Sequence, residues 1–500
     1  MSVTPTLLRV VTFLCLLSAV SLPAVADEEP AGDKPAKAVS FYRQVRTILQ
    51  RECAGCHQPA KKGGDLLLTS FEALKQGGEN GAGFVPGKPD ESLIIDYISG
   101  DEPEMPLNGD PLTPQQVALI GRWIEEGAKD DTPEKVEETI SADKPPVYAT
   151  APVITSLAYS PDGKLLAVSG FHEILLHDAE GGGLKRRLVG RANRIESIAF
   201  SPDGKLIGAV GGTPALFGEV QLWNTEKGEL AQSITVSHDT LFGGSFSDDG
   251  KHFAFGAADN RARVIRVEDG EQIMRFDAHS DYVLDTTFSK KLDHLITVGR
   301  DMSMKLVIIE NAQFVDNITS ITPGALKGGL MAAQRHPAQE QVLIGGSDGQ
   351  PKLYKIFRTR KRIIGDDFNH IRSYQKMPGR IYDLQFNHDG SLFVVGASTA
   401  TSGSARIYKT GEYETEKINN GGSLNDTRQE TTKRSSVKML AHELKDVGGP
   451  VFAVAFRPDG KQAALGGFDG SVRLYDVETG EQVKQFIPVE LTATETTAAR

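Results

Sequence analysis

The stretch Ile195-Glu-Ser-Ile-Ala-Phe-Ser-Pro-Asp-Gly204 decides the fold of most of the chain. Its first six residues form a short, mostly apolar run that is bounded by a turn signal, a pattern that predicts a β-strand. Ser-Pro-Asp-Gly predicts a turn, because proline and aspartate favour turn conformations and glycine tolerates the backbone angles that close them. A second strand that ends in small residues follows, and a third ends in the pair Trp223-Asn224. The segment therefore predicts a unit of consecutive antiparallel strands.

This unit repeats along the C-terminal two thirds of the chain. Copies of the turn lie at 160–163, 201–204, 247–250, 387–390 and 457–460, with degenerate copies near 289–291 and 336–338. The repeats resemble the WD-repeat β-propeller, whose period of about 40–45 residues they match. The resemblance implies seven four-stranded blades that close into a ring and remove exposed sheet edges. The outer strand of the last blade is either 482–488 or a segment around Val147.

A different motif precedes the repeats. Cys53-Ala54-Gly55-Cys56-His57 has the form C-x-x-C-H, to which a c-type haem is covalently attached. Two thiols three positions apart can add to the two vinyl groups at one edge of a porphyrin. The adjacent His57 is then placed beneath the iron as its proximal ligand. The motif predicts one covalently bound haem.

Other uses of a C-x-x-C pair fit this sequence less well. A structural zinc site needs about four ligands, but the next histidine is His172, and the remaining cysteine, Cys15, lies in the predicted signal peptide. A thioredoxin-like pair is expected within a βαβ pattern, which is absent here. A disulfide remains the third alternative.

Short helices surround the motif. The apolar residues of Phe41 to Glu52 lie on one helical face, and this helix leads directly into Cys53. Further helices are predicted around 71–75 and 92–98. A last helix begins at Thr113-Pro114, where Thr113 and Gln116 form a capping box. The first and last helices are expected to pack together over the haem.

Met105 is the candidate second axial ligand of the iron. It is the only methionine between residues 27 and 273, and the same unit contains no histidine other than His57. A thioether ligand raises the reduction potential and excludes small molecules from the iron. The alternative is that Met105 only packs against the haem, with water, lysine or nothing as the ligand.

The segment from Phe41 to Ala128 resembles the planctomycete-type cytochrome c domain. The matching stretches are 52–57, 63–68, 72–79, 85–89, 92–95, 105–106 and 123–128. The resemblance implies haem c held by Cys53 and Cys56, with His57 and Met105 as iron ligands. The sequence departs from the family at Leu107, where a second proline often follows Met-Pro.

These patterns together predict a multidomain protein, a small all-α c-type cytochrome followed by an all-β seven-bladed WD-repeat propeller. Arg9, an apolar run and Ala24-Val25-Ala26 predict a signal peptide over 1–26. The predicted parts are a disordered leader 27–38, the cytochrome domain 39–128, a linker 129–150, the propeller 151–490 with a mobile insertion 411–434, and a tail 491–500. The mature protein is expected to be soluble and periplasmic or otherwise extracytoplasmic, without a transmembrane segment.

Charge restricts the partners. The formal net charge is −11, and residues 27–150 contribute −10 of it. Binding to duplex nucleic acid is disfavoured, because phosphate recognition requires a basic face. The acidic cytochrome unit could steer a basic redox protein, although ordinary solvated charges explain the same balance.

Three functions follow from these features. The first is an exported electron carrier that uses the propeller for protein–protein contacts and is not itself a catalyst. The second is a haem-based scaffold or sensor, which requires an open sixth iron position. The third is an oxidoreductase with a second active site on the propeller, but no second C-x-x-C-H and no clustered metal-ligand spacing supports it.

Two further features of the repeats are candidate sites. Ala278-His279 and Ala441-His442 resemble the Gly-His dipeptide of WD repeats, and we expect hydrogen bonds to Asp301 and Asp469 rather than ligand binding. The basic run 358–362 could dock an acidic partner or the cytochrome unit, but a solvated turn is the simpler interpretation.

Overall fold

The computed structural model describes residues 38–58, 61–107, 110–132, 140–320, 326–363, 366–411 and 439–492. The predicted signal peptide 1–26, nearly all of the leader 27–38 and of the insertion 411–434, and the tail from 493 onward lie outside these residues. Within them, no helix is both long enough and apolar enough to cross a membrane.

The N-terminal part is helical, as predicted. A π-helical turn at Phe41–Val45 continues into α1 (Arg46–Glu52). The later helices are α2 (Phe71–Gln76), α3 (Leu93–Ile98) and α4 (Pro114–Glu125), with 3₁₀ turns at Gly63–Asp65 and Pro89–Glu91.

Polar caps fix where these helices begin. The Ser40 hydroxyl accepts a hydrogen bond from the Arg43 N–H at 3.0 Å. Thr113 and Gln116 form the predicted capping box at the start of α4. These bonds satisfy N–H groups that have no partner inside a helix.

Aromatic side chains form the centre of the helical core. The ring of Phe41 lies 5.3 Å from that of Trp123 and 5.1 Å from that of Phe71, and Phe84 lies 5.1 Å from Trp123. Trp123 also donates a hydrogen bond from Nε1 to the Lys129 carbonyl at 3.0 Å. The first and last helical segments therefore pack together, as expected from the sequence.

The rest of the described chain is almost entirely β. A short antiparallel pair, β1 (His57–Gln58) and β2 (Lys61–Lys62), follows the cysteine motif. One seven-stranded antiparallel sheet contains β3 (Leu157–Tyr159), β4 (Leu165–Ser169), β5 (Phe171–Asp178), β6 (Leu184–Phe200), β7 (Leu206–Thr213), β8 (Phe217–Asn224) and β9 (Leu230–Ser237).

Five four-stranded antiparallel sheets follow in chain order. The first two consist of β10 (Leu241–Phe246), β11 (His252–Ala257), β12 (Ala262–Arg266) and β13 (Gln272–Phe276), then β14 (Val283–Phe288), β15 (His294–Gly299), β16 (Met304–Ile308) and β17 (Phe314–Asn317). The last three consist of β18 (Leu330–Arg335), β19 (Gln341–Gly346), β20 (Lys352–Lys355) and β21 (His370–Ser373), then β22 (Arg380–Phe386), β23 (Leu392–Ser398), β24 (Gly403–Lys409) and β25 (Leu440–Leu444), then β26 (Val451–Phe456), β27 (Gln462–Gly467), β28 (Val472–Asp476) and β29 (Gln482–Phe486).

The sheets differ in one respect from the predicted seven separate blades. Strand β6 has 17 residues and pairs with β5 through its first half and with β7 through its second half. The described residues therefore form six sheets in this region rather than seven, because one long strand joins what the repeat pattern separates.

The predicted turns have a common hydrogen-bond pattern. At 201–204, the Ser201 hydroxyl donates to Asp203 Oδ1 at 2.7 Å, and the Gly204 N–H donates to the Ser201 carbonyl at 2.8 Å. Gly204 has a φ of +71°, a conformation that glycine adopts without steric cost. The same bonds recur at 160–163, which explains why the motif repeats as a unit.

Neighbouring sheets pack through their first strands. Strands β10, β14, β18, β22 and β26 contact one another in that order, and β26 also contacts β3. Strand β29 pairs with β28, so the outer strand of the last sheet comes from 482–488 and not from the segment around Val147. Tyr148 instead forms a single parallel bridge with Leu491.

Candidate haem site

Helix α1 ends at the cysteine motif. The Cys53 N–H still donates to the Leu49 carbonyl at 3.0 Å, and the Cys56 and His57 N–H groups both donate to the Cys53 carbonyl at 3.2 Å. This turn holds both cysteines close to the end of the helix, and both are half-buried free thiols. The thiols are therefore available for thioether bonds.

Backbone interactions orient the His57 ring. Its Nδ1 lies 3.3 Å from the Leu66 carbonyl oxygen, and a Cβ at Gly63 would lie only 3.3 Å from the ring. A carbonyl partner at Nδ1 fixes the tautomer in which Nε2 binds a metal. Burial lowers the pKa of His57, which favours the neutral ring that metal binding requires.

The environment of Cys53 disfavours a reactive thiolate. Burial raises its pKa to about 12, and the negative charge of Glu52 contributes in the same direction. Reactive cysteines of the thioredoxin type have a lowered pKa. Among the described residues no group of three or more His, Cys, Asp or Glu side chains could hold a metal ion. The raised pKa of Cys53 therefore does not favour redox thiol chemistry of the thioredoxin type.

Met105 lies beside the same core as Cys53. Both side chains are partly buried and pack against the helical core that contains Trp123. The Met105 N–H donates to the Tyr97 carbonyl at 2.9 Å, which ties the methionine loop to α3. The structure thus brings Cys53 and Met105 to one apolar cluster, while backbone contacts hold His57.

The segment 50–58, called here the attachment segment, also contacts the sheets. The Gln58 side chain is buried and donates from Nε2 to Ser233 Oγ on β9 at 3.0 Å. Gly55 lies so close to β9 that an added Cβ would be 3.2 Å from the Ser233 carbonyl oxygen. Arg51 Nη2 lies 3.1 Å from Nε2 of His238. The haem motif therefore packs between the helical core and the seven-stranded sheet.

A buried ion pair lies at this contact. Arg191 donates hydrogen bonds to the Gln50 carbonyl and, at 2.6 Å, to Thr235 Oγ1. Its Nε is 3.6 Å from Oε1 of Glu219, whose side chain is fully buried. The Glu219 carboxylate also accepts a hydrogen bond from Ser233. This ion pair therefore joins the sheet to the attachment segment.

Sequence reasoning missed Arg191 and Glu219. The available signal was Glu219 itself, a carboxylate inside the apolar strand β8. A buried carboxylate is rarely left without a charged or hydrogen-bonding partner. The pattern could have flagged Glu219, but the partner on β6 follows only from the three-dimensional arrangement.

His279 and His442 of the Ala-His dipeptides have different surroundings. His279 is buried, with Nδ1 3.0 Å from Asp301 Oδ2 and Nε2 2.7 Å from Thr297 Oγ1, as expected for a structural role. Asp469 is instead bound by the Arg473 guanidinium. The expected bond to His442 is replaced because this arginine occupies the carboxylate.

The basic run 358–362 is paired within the chain. Arg358 contacts Asp366 at 3.0 Å and Asp316 at 3.1 Å, and Arg362 contacts Asp316 at 2.8 Å. The Arg360 guanidinium lies 4.2 Å from the centre of the Phe368 ring. These contacts support a structural turn rather than a docking site for an acidic partner.

Comparison with protein families matches both predicted regions. Residues 53–107 match the family Planctomycete cytochrome C, and residues 436–476 match the WD domain, G-beta repeat. Both resemblances are confirmed. The cytochrome match contains the whole C-x-x-C-H motif and Met105, so the family and the cysteine spacing together indicate c-type haem.

Curated relatives match about half of the chain or less. Eukaryotic translation initiation factor 3 subunit I of Xenopus tropicalis is 23% identical over 290 residues, covering 51% of this chain and 86% of the relative. The same subunit of Drosophila willistoni is 26% identical, covering 29% and 50%. Human serine-threonine kinase receptor-associated protein is 20% identical, covering 53% and 74%. Identity this low supports a shared repeat architecture and carries no activity to this chain.

Proposed function

We propose that this chain is an exported electron-transfer protein with one haem c. Cys53 and Cys56 form the thioether bonds, and His57 and Met105 are the axial ligands of the iron. A haem bound there supplies one-electron transfer between ferric and ferrous iron. The observation that carries the proposal is the C-x-x-C-H motif, within a family-matched segment, with the His57 Nδ1 facing a backbone carbonyl.

The residues around the motif support this role. The Leu66 carbonyl orients His57 so that its other nitrogen can bind iron. The aromatic core around Trp123 supplies the apolar surroundings that keep water away from a haem edge. Met105, partly buried beside this core, is suited to complete the coordination and leave no open position for substrate.

We assign the sheets to a protein-interaction platform. The seven-stranded sheet corresponds to two blades that share β6, and with the five other sheets it makes a seven-bladed propeller. The contact between β26 and β3 supports closure of the ring. A WD-repeat match supports protein–protein contacts, and the physiological partner is a redox protein.

Export is tested by the mature N-terminus. If residues 1–26 are a signal peptide, protein secreted by a bacterial host begins at Asp27 and is recovered from the periplasm. Intact-mass measurement distinguishes this product from the full chain. An unprocessed chain carrying Met1 in the cytoplasm would contradict the proposed location.

The haem proposal is tested by spectroscopy of protein matured with the c-type attachment machinery. We expect haem that stays with the chain on acid-acetone extraction, sharp reduced bands and a near-infrared methionine–iron band. The Cys53→Ser/Cys56→Ser variant serves as the control and should release its haem. Extractable haem in the unaltered chain would overturn the proposal.

The role of Met105 is tested separately. Met105→Ala should leave the haem attached but allow carbon monoxide or cyanide to bind the iron. Met439→Ala, a methionine in the sheet region, is the matched control and should exclude both ligands. If Met105→Ala excludes them as well, or the unaltered chain binds them, the iron has another ligand or an open position, which favours the sensor alternative.

A further inference from the structure

Arg191 is the buried charge at the contact between the seven-stranded sheet and the attachment segment. Only 8% of its side chain is exposed. One terminal nitrogen donates to the carbonyl of Gln50, three residues before Cys53, and the other donates to Thr235 on β9 at 2.6 Å. The guanidinium also lies 3.8 Å from the centre of the Phe217 ring. The sheet therefore places a fixed positive charge against the haem-attachment motif.

The partner carboxylate lies on the far side of this charge. Glu219 Oε1 is 3.6 Å from Arg191 Nε and accepts a hydrogen bond from Ser233. Its other oxygen accepts from Gln221 Nε2 at 2.8 Å. Among the described residues, the hydrogen-bond and ion-pair partners of Glu219 all lie on the sheet, whereas Arg191 reaches the attachment segment itself. The ion pair is thus oriented with its positive end toward the cysteines.

The electrostatic environment of Cys53 agrees with this orientation. Burial raises the pKa of the Cys53 thiol and Glu52 adds to the effect, while the charge of Arg191 opposes both. The positive charge of Arg191 therefore contributes to the electrostatic potential at Cys53, where the haem edge would be attached.

We infer that Arg191 is a positioning residue that docks the attachment segment on the sheet and raises the reduction potential of the haem. The inference rests on the proposed haem binding and goes beyond it by giving the sheets a role in setting the potential. Reduction adds one negative charge to the haem. A buried positive charge stabilises the reduced form, and low local polarity strengthens the effect.

The test is a spectroelectrochemical titration of full-length holoprotein variants. Arg191→Met removes the positive charge and should lower the midpoint potential. Glu219→Gln removes the compensating negative charge and should raise it. We expect each change to alter the oxidised-to-reduced ratio by about tenfold, which corresponds to about 59 mV for one electron.

Two control variants distinguish an electrostatic effect on the potential from a structural one. One keeps the charge at position 191, and the other removes a charge elsewhere on the same strand. Arg191→Lys keeps the charge and should stay close to the unaltered protein. Arg194→Met removes a more exposed arginine, 55% exposed, from the same strand and should leave the potential unchanged. The methionine–iron band should persist in all variants, which shows that ligation is intact.

Opposite shifts in Arg191→Met and Glu219→Gln support the inference. Shifts of the same sign, or no shift in either, overturn it, since loss of packing would move both variants alike. If Arg191→Met does not fold, Glu219→Gln decides alone, because an unchanged or lowered potential contradicts the proposed orientation. An unaltered chain without attached haem would instead refute the proposed function.

Discussion

The repeated turn at 201–204 and the attachment segment at 50–58 obtain their hydrogen bonds in different ways. In the turn, Ser201, Asp203 and Gly204 bond to one another and to their immediate neighbours. In the attachment segment, Gln58 reaches Ser233, 175 residues away, and the Gln50 carbonyl reaches Arg191, 141 residues away. Local bonds make the turn recognisable in sequence, whereas the attachment segment depends on partners that no local pattern reveals.

Because of this difference, the turn and the attachment segment should lose stability through different substitutions. A repeat turn can be weakened by a single backbone change within it. The attachment segment can be weakened from the helical core on one side or from β9 on the other. The two tryptophans report on the two regions separately, since Trp123 lies in α4 and Trp223 in β8.

The largest effect is expected in the helical core. Phe41 is 2% exposed and packs against Trp123 and Phe71. Phe41→Ala should lower the free energy of unfolding of this region by about 3–5 kcal/mol, because it leaves a cavity. Urea unfolding followed by Trp123 fluorescence in a Trp223→Phe background measures it.

The adjacent Tyr42 provides the control, since its side chain is exposed. Tyr42→Ala should change the free energy of unfolding by less than about 0.5 kcal/mol. In a Trp123→Phe background, Trp223 should report an unchanged transition for Phe41→Ala. If both tryptophans report an equal loss in the free energy of unfolding, the helices and the sheets unfold as one unit.

The next effect concerns acid sensitivity in the sheets. Burial lowers the pKa of His370 to about 4, and the charge of Lys352 contributes in the same direction. The unfolded chain takes up this proton near pH 6.5, so the stabilisation is present above that pH and lost as the pH falls toward 4. Between pH 7 and pH 5 the loss should be about 2 kcal/mol.

The measurement compares Trp223-monitored unfolding at pH 7 and pH 5. His370→Gln should lose less stability over this interval than the unaltered chain, by roughly the 2 kcal/mol assigned to the histidine. His388→Gln is the control, because that side chain is exposed in the folded protein. An identical pH dependence in all three proteins would contradict the assignment.

The sequence predicted what local interactions determine. The repeated turns, the helix caps at Thr113 and the cysteine motif all follow from residues within a few positions of one another. The merging of two predicted blades was missed, because the continuity of β6 depends on pairing with strands on both sides. The contact of Arg191 with the attachment segment was missed for the same reason, since it joins residues 141 apart.

A smaller effect is expected at the contact with β9. Ser233→Ala removes the hydroxyl that accepts from Gln58 and donates to Glu219. Losing both hydrogen bonds within a buried contact should lower the free energy of unfolding by about 1–2 kcal/mol. Hydrogen exchange of peptides covering 53–58 should become faster by about tenfold, because a cost of this size changes the open fraction to that degree.

Ser237→Ala in the same strand is the matched control. Its hydroxyl donates to the Asp239 carbonyl and accepts from the Asp239 N–H, and both bonds lie in the following turn rather than at the attachment segment. This variant should leave exchange at 53–58 unchanged. Faster exchange there in both variants would mean that β9 as a whole has loosened, and the specific docking by Ser233 would be contradicted.

The smallest effects on stability are expected at two glycines. The backbone conformation favours glycine at one of them and disfavours it at the other. Gly460 has a φ of +72° in a repeat turn, while Gly121 lies inside α4, and an added Cβ would meet nothing within 4 Å at either position. Gly460→Ala should destabilise the sheets by about 1 kcal/mol, through backbone strain alone. Gly121→Ala should stabilise the helical part by about 0.5–1 kcal/mol, because glycine costs entropy inside a helix. Urea unfolding followed by the fluorescence of Trp223 and Trp123 measures the two changes. If Gly460→Ala stabilises the sheets as Gly121→Ala stabilises the helices, the turn tolerates a side chain and its conformation does not require glycine.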